Sequence, residues 1–144
     1  MEGGLWHGCP RPDDLKVENE AKEIVRTEEI VRGWTPGPPL SKQREREEGC
    51  DFLSAPPDGG QPSPVEVKGW GASLFLPDGR FRHSQDINAE QLDRARRDPN
   101  WRLGIVANLT AARMGTGAVE RKTMTAAEVS ARARPWKYRV SLDG

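Results

Sequence analysis

The stretch at positions 51–69, DFLSAPPDGGQPSPVEVKG, sets Glu66 and Lys68 two residues apart inside an otherwise apolar run. In a strand, residues i and i+2 share a face, so Glu66 and Lys68 point one way while Val65 and Val67 point into a core. Asp51 leads the preceding apolar segment, and a closed hairpin would bring it beside Glu66. Two carboxylates and one ammonium would then converge at the edge of a sheet. Such a set suits a hard divalent cation, Mg²⁺ or Mn²⁺, with waters and a phosphate oxygen in the remaining positions. The lysine could orient or help deprotonate an attacking water, or steady charge on the phosphate.

The bare spacing of an acid, any residue and Lys carries no information by itself. It occurs at Asp14/Lys16, Glu20/Lys22, Glu66/Lys68 and Glu120/Lys122. Only Glu66/Lys68 lies in a β-branched run, follows a turn-rich segment and has an Asp leading the partner strand. On spacing and chemistry alone, a solvated strand face and a cation site both fit.

The elements that must position these residues are readable from periodicity. Val17, Ala21, Ile24, Val25 and Val31 recur at helical spacing over 13–33, with Asp13 or Asp14 as the expected cap. Pro36, Pro38 and Pro39 then bar helix and central strand, leaving an edge strand near Trp34. The charged stretch 41–48 reads as a loop or a short helical turn. Segments 51–55 and 65–67 read as hairpin arms around PPDGGQPSP. A short strand is expected at 73–76, closed by Pro77, Asp78 and Gly79. Asn88 caps a second helix with Gln91 in a capping box, Leu92 and Ala95 inward, and Pro99 at its end. WRLGIVANL, at 101–109, is the most apolar run and reads as a buried strand. A Gly/Thr-rich loop, a short helix near 126–133 and a last strand at 136–142 complete an α-β-β-β-α-β order with a C-terminal helix-strand extension. The expected class is α/β, a mixed central sheet flanked by helices.

With 144 residues the chain is expected to form one domain at 13–144 after a loose tail at 1–12. Apolar residues make up 35% and charged residues 31%, and no run approaches the roughly 20 apolar residues that span a bilayer, so no membrane partner is expected. No basic-then-apolar leader opens the sequence, and a cytoplasmic setting is expected. Cys9 and Cys50 are too few and too isolated for a disulfide framework or a zinc site. His7 and His83 are lone polar-loop residues, and Trp34, Trp70 and Trp101 read as packing residues. The zero net charge conceals an asymmetry: residues 1–79 carry 9 Lys and Arg against 15 Asp and Glu, and residues 80–144 carry 13 against 7. A basic half suits a polyanionic partner, and an acidic half suits a cation.

GCDFLS followed by VEVKG resembles the core of the PD-(D/E)XK nuclease superfamily, the restriction-endonuclease-like fold. The likeness is greatest to the domain of unknown function 3883, also called the NO VEIN C-terminal domain, and to Mrr-like nucleases. Those domains run a first helix, a GYDI-like strand, an IEVKG-like strand, a helix and an apolar strand. The corresponding pieces here are EAKEIVRTEEIVRGW, GCDFLS, VEVKG, NAEQLDRARRD and WRLGIVANL, covering roughly residues 15–110. The resemblance implies a metal-dependent nuclease acting on nucleic acid, DNA in particular, in restriction, defence or repair. It implies Asp51 and Glu66 as ligands of Mg²⁺ or Mn²⁺ and Lys68 as the residue that positions water. It also implies a catalytic glutamate on the first helix, assigned to Glu20, with Glu18 or Glu23 able to substitute. Gln91, beyond its capping role, and Arg94 on the same helix are candidate nucleic-acid contacts. Double-strand cutting by this fold implies a homodimer, two sites acting in turn, or a partner domain in a larger system.

Two features depart from the family pattern. Cys50 stands where an aromatic residue is usual, and the Pro-rich insert between Trp34 and Gly49 is long. The C-terminal ARARPWKYRVSL lies outside the resemblance. Its Arg132, Arg134, Lys137 and Arg139, interleaved with Trp136 and Tyr138, suit either a nucleic-acid backbone or an ordinary antiparallel strand. A non-cleaving nucleic-acid-binding module and a protein-interaction domain are the alternative functions.

Overall fold

The computed structural model describes residues 12–82, 85–134, 139–140 and 142. Helix α1 (Pro12–Val31) begins with proline at its first position, where the missing N–H leaves no bond unmade. Asp13 and Asp14 therefore fall inside the first turn and are not its cap. Along α1, Ala21, Val25 and Glu29 are buried one turn apart. Ala21 and Val25 pack on Val65, Val67 and Val106 of the sheet below.

That sheet has five strands: β1 (Thr35–Pro36), β2 (Phe52–Ala55), β3 (Ser63–Gly69), β5 (Arg102–Ala107) and β6 (Glu120–Thr125), in that spatial order. The β1–β2, β2–β3 and β5–β6 pairs are antiparallel, and β3–β5 is parallel. Its far face is covered by α3 (Ala89–Arg97) and α5 (Ala126–Arg132). Leu92, Ala95 and Val129 meet Leu103, Ile105 and Met124 there, around the fully buried Trp101. The chain is thus an α/β domain with a mixed five-stranded sheet between helices.

Helix α2 (Lys42–Glu48) occupies the charged stretch before the hairpin. Its C-cap, Gly49, has φ 66°, and the Gly49 carbonyl accepts a hydrogen bond from Trp101 Nε1 at 2.7 Å. Gly69 ends β3 where α1 crosses closest. A Cβ there would lie 2.9 Å from the Val17 carbonyl oxygen and 3.0 Å from Ala21 Cβ. Only a residue without a side chain lets the helix lie this near the strand.

Several expectations are corrected. Residues 73–76 form no strand; a single bridge joins Phe75 to Phe81. Glu120 holds this segment as a loop, accepting from the Leu74 N–H at 2.7 Å and the Ser73 hydroxyl. The stretch after β5 is no simple loop, since it contains α4 (Leu109–Met114) and the sheet strand β6. A second, small sheet in the order β4-β8-β7 joins β4 (Gln85–Asp86), β7 (Ala133–Arg134) and β8 (Arg139–Val140). The expected last strand is represented by β8, while residues 135–138 and 141 lie outside the described residues, as does the expected tail through residue 11. No helix among the described residues is long and apolar enough to cross a membrane.

Candidate active site

The β2–β3 hairpin sets the site. Phe52 pairs with Val65, so the register carried back one residue puts Asp51 opposite Glu66. Asp51 locks this alignment with its own groups. Its N–H donates to the Val65 carbonyl at 2.8 Å, and its Oδ2 accepts from the Val67 N–H at 2.7 Å. Glu66 and Lys68 lie beside Leu103 and Ile105 of β5, on the face opposite Val65 and Val67. The Glu66 side chain is only 6% exposed and Lys68 is 25% exposed, with Nζ 3.2 Å from Glu66 Oε2. A simple solvated face would leave both in water. Here the carboxylate is buried and the ammonium rises to the surface, as a long amphipathic stem allows.

Burial dominates the electrostatics. It pushes the Glu66 carboxyl up to about 8, helped by the negative Asp51 and opposed by Lys68. Burial also raises Asp51, against the pull of Lys22 and the Val67 N–H, with Glu45 adding to the rise. Burial alone would lower Lys22, but Asp51, Glu18 and Glu45 outweigh it and hold the ammonium well above the usual lysine range. Cys50, beside Asp51 in sequence, is pushed up to about 12 by burial and is therefore an inert thiol, not a nucleophile.

A cleft of about 420 Å³ opens where β3 and β5 end, walled by Glu18, Glu66, Lys68, Gln85 and Thr110. Ligands of open α/β sheets bind characteristically outside the carboxyl ends of parallel strands. The donor set fits a hard divalent ion as two protein ligands. Asp51 and Glu66 are oxygen donors set opposite one another in register, and burial raises both carboxyls although each has a lysine beside it. Among the described residues no group of three or more His, Cys, Asp or Glu forms a self-sufficient metal cage. Water and substrate oxygens would have to complete the shell.

The register thus sets Asp51 opposite Glu66, with Lys68 paired to Glu66; Glu66 and Lys68 line the cleft and Asp51 does not. Glu20 is not among them. It pairs with Arg113 of α4, and a residue two positions earlier, Glu18, is the helical acid that walls the cleft. Gln91 completes the capping box, accepting from the Asn88 N–H at 3.0 Å while Asn88 Oδ1 accepts from the Gln91 N–H at 2.8 Å. Arg94 ties α3 to α2, donating to Glu48 Oε1 at 2.8 Å and the Glu48 carbonyl at 2.7 Å, and also pairing with Asp98. Both residues therefore hold the scaffold together. Arg132 lies 3.8 Å from Glu128 one turn back in α5. Arg134 and Arg139 are partners in register between β7 and β8. Trp136, Lys137, Tyr138, His7, His83 and Cys9 lie outside the described residues.

Sequence reasoning missed Lys22 and Glu45, whose side chains reach the Asp51 carboxylate or its partner. Lys22 Nζ lies 3.3 Å from Asp51 Oδ1, 3.1 Å from Glu18 and 3.5 Å from Glu45. The i, i+4 spacing of Glu18 and Lys22 was a visible signal. The placement of α2 over the hairpin start was not. A second cavity, of about 390 Å³, lies under the C-terminal half of α1 and is lined by none of these residues. Its charges are internally paired: Arg102 with the buried Glu29 at 2.7 Å and Arg121 with Glu28 at 2.7 Å. It presents no comparable set of converging, unbalanced carboxylates.

No protein-family model, curated protein or solved structure matches this chain.

Proposed function

We propose that this chain is a metal-dependent nuclease of the PD-(D/E)XK class with a restriction-endonuclease-like core, hydrolysing phosphodiester bonds in nucleic acid, DNA in particular. The observation that carries the reading is the register-matched, buried Asp51–Glu66 pair with Lys68 at 3.2 Å from Glu66. The order α1, β2, β3, α3, β5, with an antiparallel hairpin feeding a parallel neighbour, supports it.

In this reading Asp51 and Glu66 hold Mg²⁺ or Mn²⁺. When bound, such an ion would polarise the phosphoryl oxygen and acidify a water. Glu66 is kept in place by its strand and by Lys68. Asp51 is kept in place by the Val67 N–H, which donates to its Oδ2. Lys68, a quarter exposed at the cleft wall, orients the attacking water and faces the negative charge that gathers on the phosphate. Glu18 borders the same space from α1 and can accept a hydrogen bond from that water.

A second reading, a nucleic-acid-binding module that does not cleave, is favoured by one feature. Lys22 already neutralises Asp51. Cleavage of supercoiled plasmid, single-stranded DNA and RNA in Mg²⁺, Mn²⁺ or EDTA separates the readings. The nuclease reading expects metal-dependent products on at least one substrate and their loss in Glu66→Gln. Salt-sensitive gel retardation with no products would establish the binding module instead.

A further inference from the structure

Each motif carboxylate has its own ammonium. Glu66 has Lys68 at 3.2 Å, which belongs to the motif. Asp51 has Lys22 at 3.3 Å, which does not. The three donors of the Lys22 ammonium face three carboxylates from three elements: Glu18 on α1 itself, Glu45 on α2 and Asp51 at the start of the hairpin. Asp51 has both oxygens engaged, Oδ1 by Lys22 and Oδ2 by the Val67 N–H. It is absent from the cleft wall, whereas Glu18 and Glu66 are part of it.

We propose that Lys22 is a resident counter-ion that occupies the cation position at Asp51 and must withdraw before a divalent ion can bind there. The inference rests on the nuclease reading and adds a regulatory feature of that site. Glu18, Glu45, Asp51 and Glu66 set four carboxyl groups against three ammoniums, Lys22, Lys68 and the exposed Lys42 at 3.5 Å from Glu45, so one carboxyl group remains in excess for a divalent cation. Without that cation, Lys22 is what makes a buried Asp51 tolerable. With it, the ammonium and the metal compete for Oδ1 and repel one another at short range. Lys22 has somewhere to go. Its four-carbon stem is flexible, its side chain is 18% exposed, and Glu18, the most exposed of its three partners, stands at the cleft rim. Metal affinity in the wild type is therefore the difference between binding the ion and releasing Lys22.

The test compares Mn²⁺ binding, by electron paramagnetic resonance of the free ion, in wild type, Lys22→Met, Lys22→Gln and Glu66→Gln. Thermal unfolding is followed with and without Mn²⁺. Both Lys22 variants should bind Mn²⁺ at least tenfold more tightly than wild type, equivalent to about 1.4 kcal/mol. They should also melt earlier without metal and gain more from it. Lys22→Met that is unfolded in chelator and folds on adding Mn²⁺ supports the proposal equally. If Lys22→Met does not fold under either condition, Lys22→Gln decides, because it retains a donor for Asp51. Wild-type binding that Glu66→Gln abolishes, combined with unchanged or weaker binding in folded Lys22→Gln, overturns the proposal and leaves the nuclease reading standing. Absence of Mn²⁺ binding in all four proteins overturns both.

Discussion

Glu66→Gln is the perturbation whose consequence follows most directly from the geometry. The Glu66 carboxyl ordinarily titrates near 4.5, and burial together with Asp51 pushes it up to about 8 in the folded chain. Between those values the folded state holds a proton that the unfolded chain has released. Stability contributed by that proton is fully present below 4.5 and is lost as pH rises through 8. Each pH unit of displacement corresponds to about 1.4 kcal/mol, so the whole window corresponds to something on the order of 5 kcal/mol. Asp51, raised in the same direction, adds a loss of the same sign. The glutamine amide would keep the volume and remove the charge. Urea denaturation in chelator from about pH 5 to 9 should show wild type losing several kcal/mol of stability by about pH 8. Glu66→Gln should lose less than half as much and exceed wild type in stability at the alkaline end. Divalent cation added there should restore much of the wild-type loss and little in the variant. Parallel pH profiles for the two proteins would refute the reasoning, since they would mean that Glu66 is solvated and unperturbed.

Four further outcomes are expected. Glu18→Gln should slow cleavage at least tenfold, while Glu20→Gln should stay within twofold of wild type and cost under about 1 kcal/mol, because its partner Arg113 lies at the surface; steady-state cleavage rates and thermal melts check both. Gly69→Ala should destabilise by about 2 kcal/mol and lower activity together, since its Cβ would press the Val17 carbonyl and tilt α1 away from Lys68. Trp101→Phe should cost about 2–3 kcal/mol in chemical denaturation through a void and an unpaired Gly49 carbonyl, with no change in metal dependence.

Much of the scaffold was legible because strong local signals agreed with tertiary packing. Apolar spacing located α1, turn formers located the hairpin, and Asn88 with Gln91 located the start of α3. The strand β6 escaped because its sequence, ERKTMT, buries only Met124 and keeps charged residues elsewhere. Its register against the whole of β5 is a tertiary fact, not a local pattern. The segment at 73–76 misled in the opposite sense: it is apolar enough for a strand, but Glu120 from a distant strand takes up its backbone and its serine. At the site, Asp51, Glu66 and Lys68 were legible because strand alternation and a hairpin fix their shared face. On α1 the sequence offers Glu20 with Glu18 or Glu23 as substitutes; the structure sets Glu18 on the cleft wall and pairs Glu20 with Arg113, a choice that depends on how α1 settles against Gly69. Lys22 was invisible as a site residue for a related reason. Its three partners come from 4, 23 and 29 residues away in sequence, and only the first is local.

The most direct test of the central claim is nicking of supercoiled plasmid in Mg²⁺ by wild type and Lys68→Ala, with melting curves to show that both are folded. Among the described residues Lys68 pairs with Glu66, whose carboxyl, already raised by burial, can stay protonated without it, so the variant should fold at some cost in stability that the melting curves record. The account predicts metal-dependent nicking by wild type and at least a hundredfold slower nicking by Lys68→Ala. Equal nicking by the two folded proteins would contradict it.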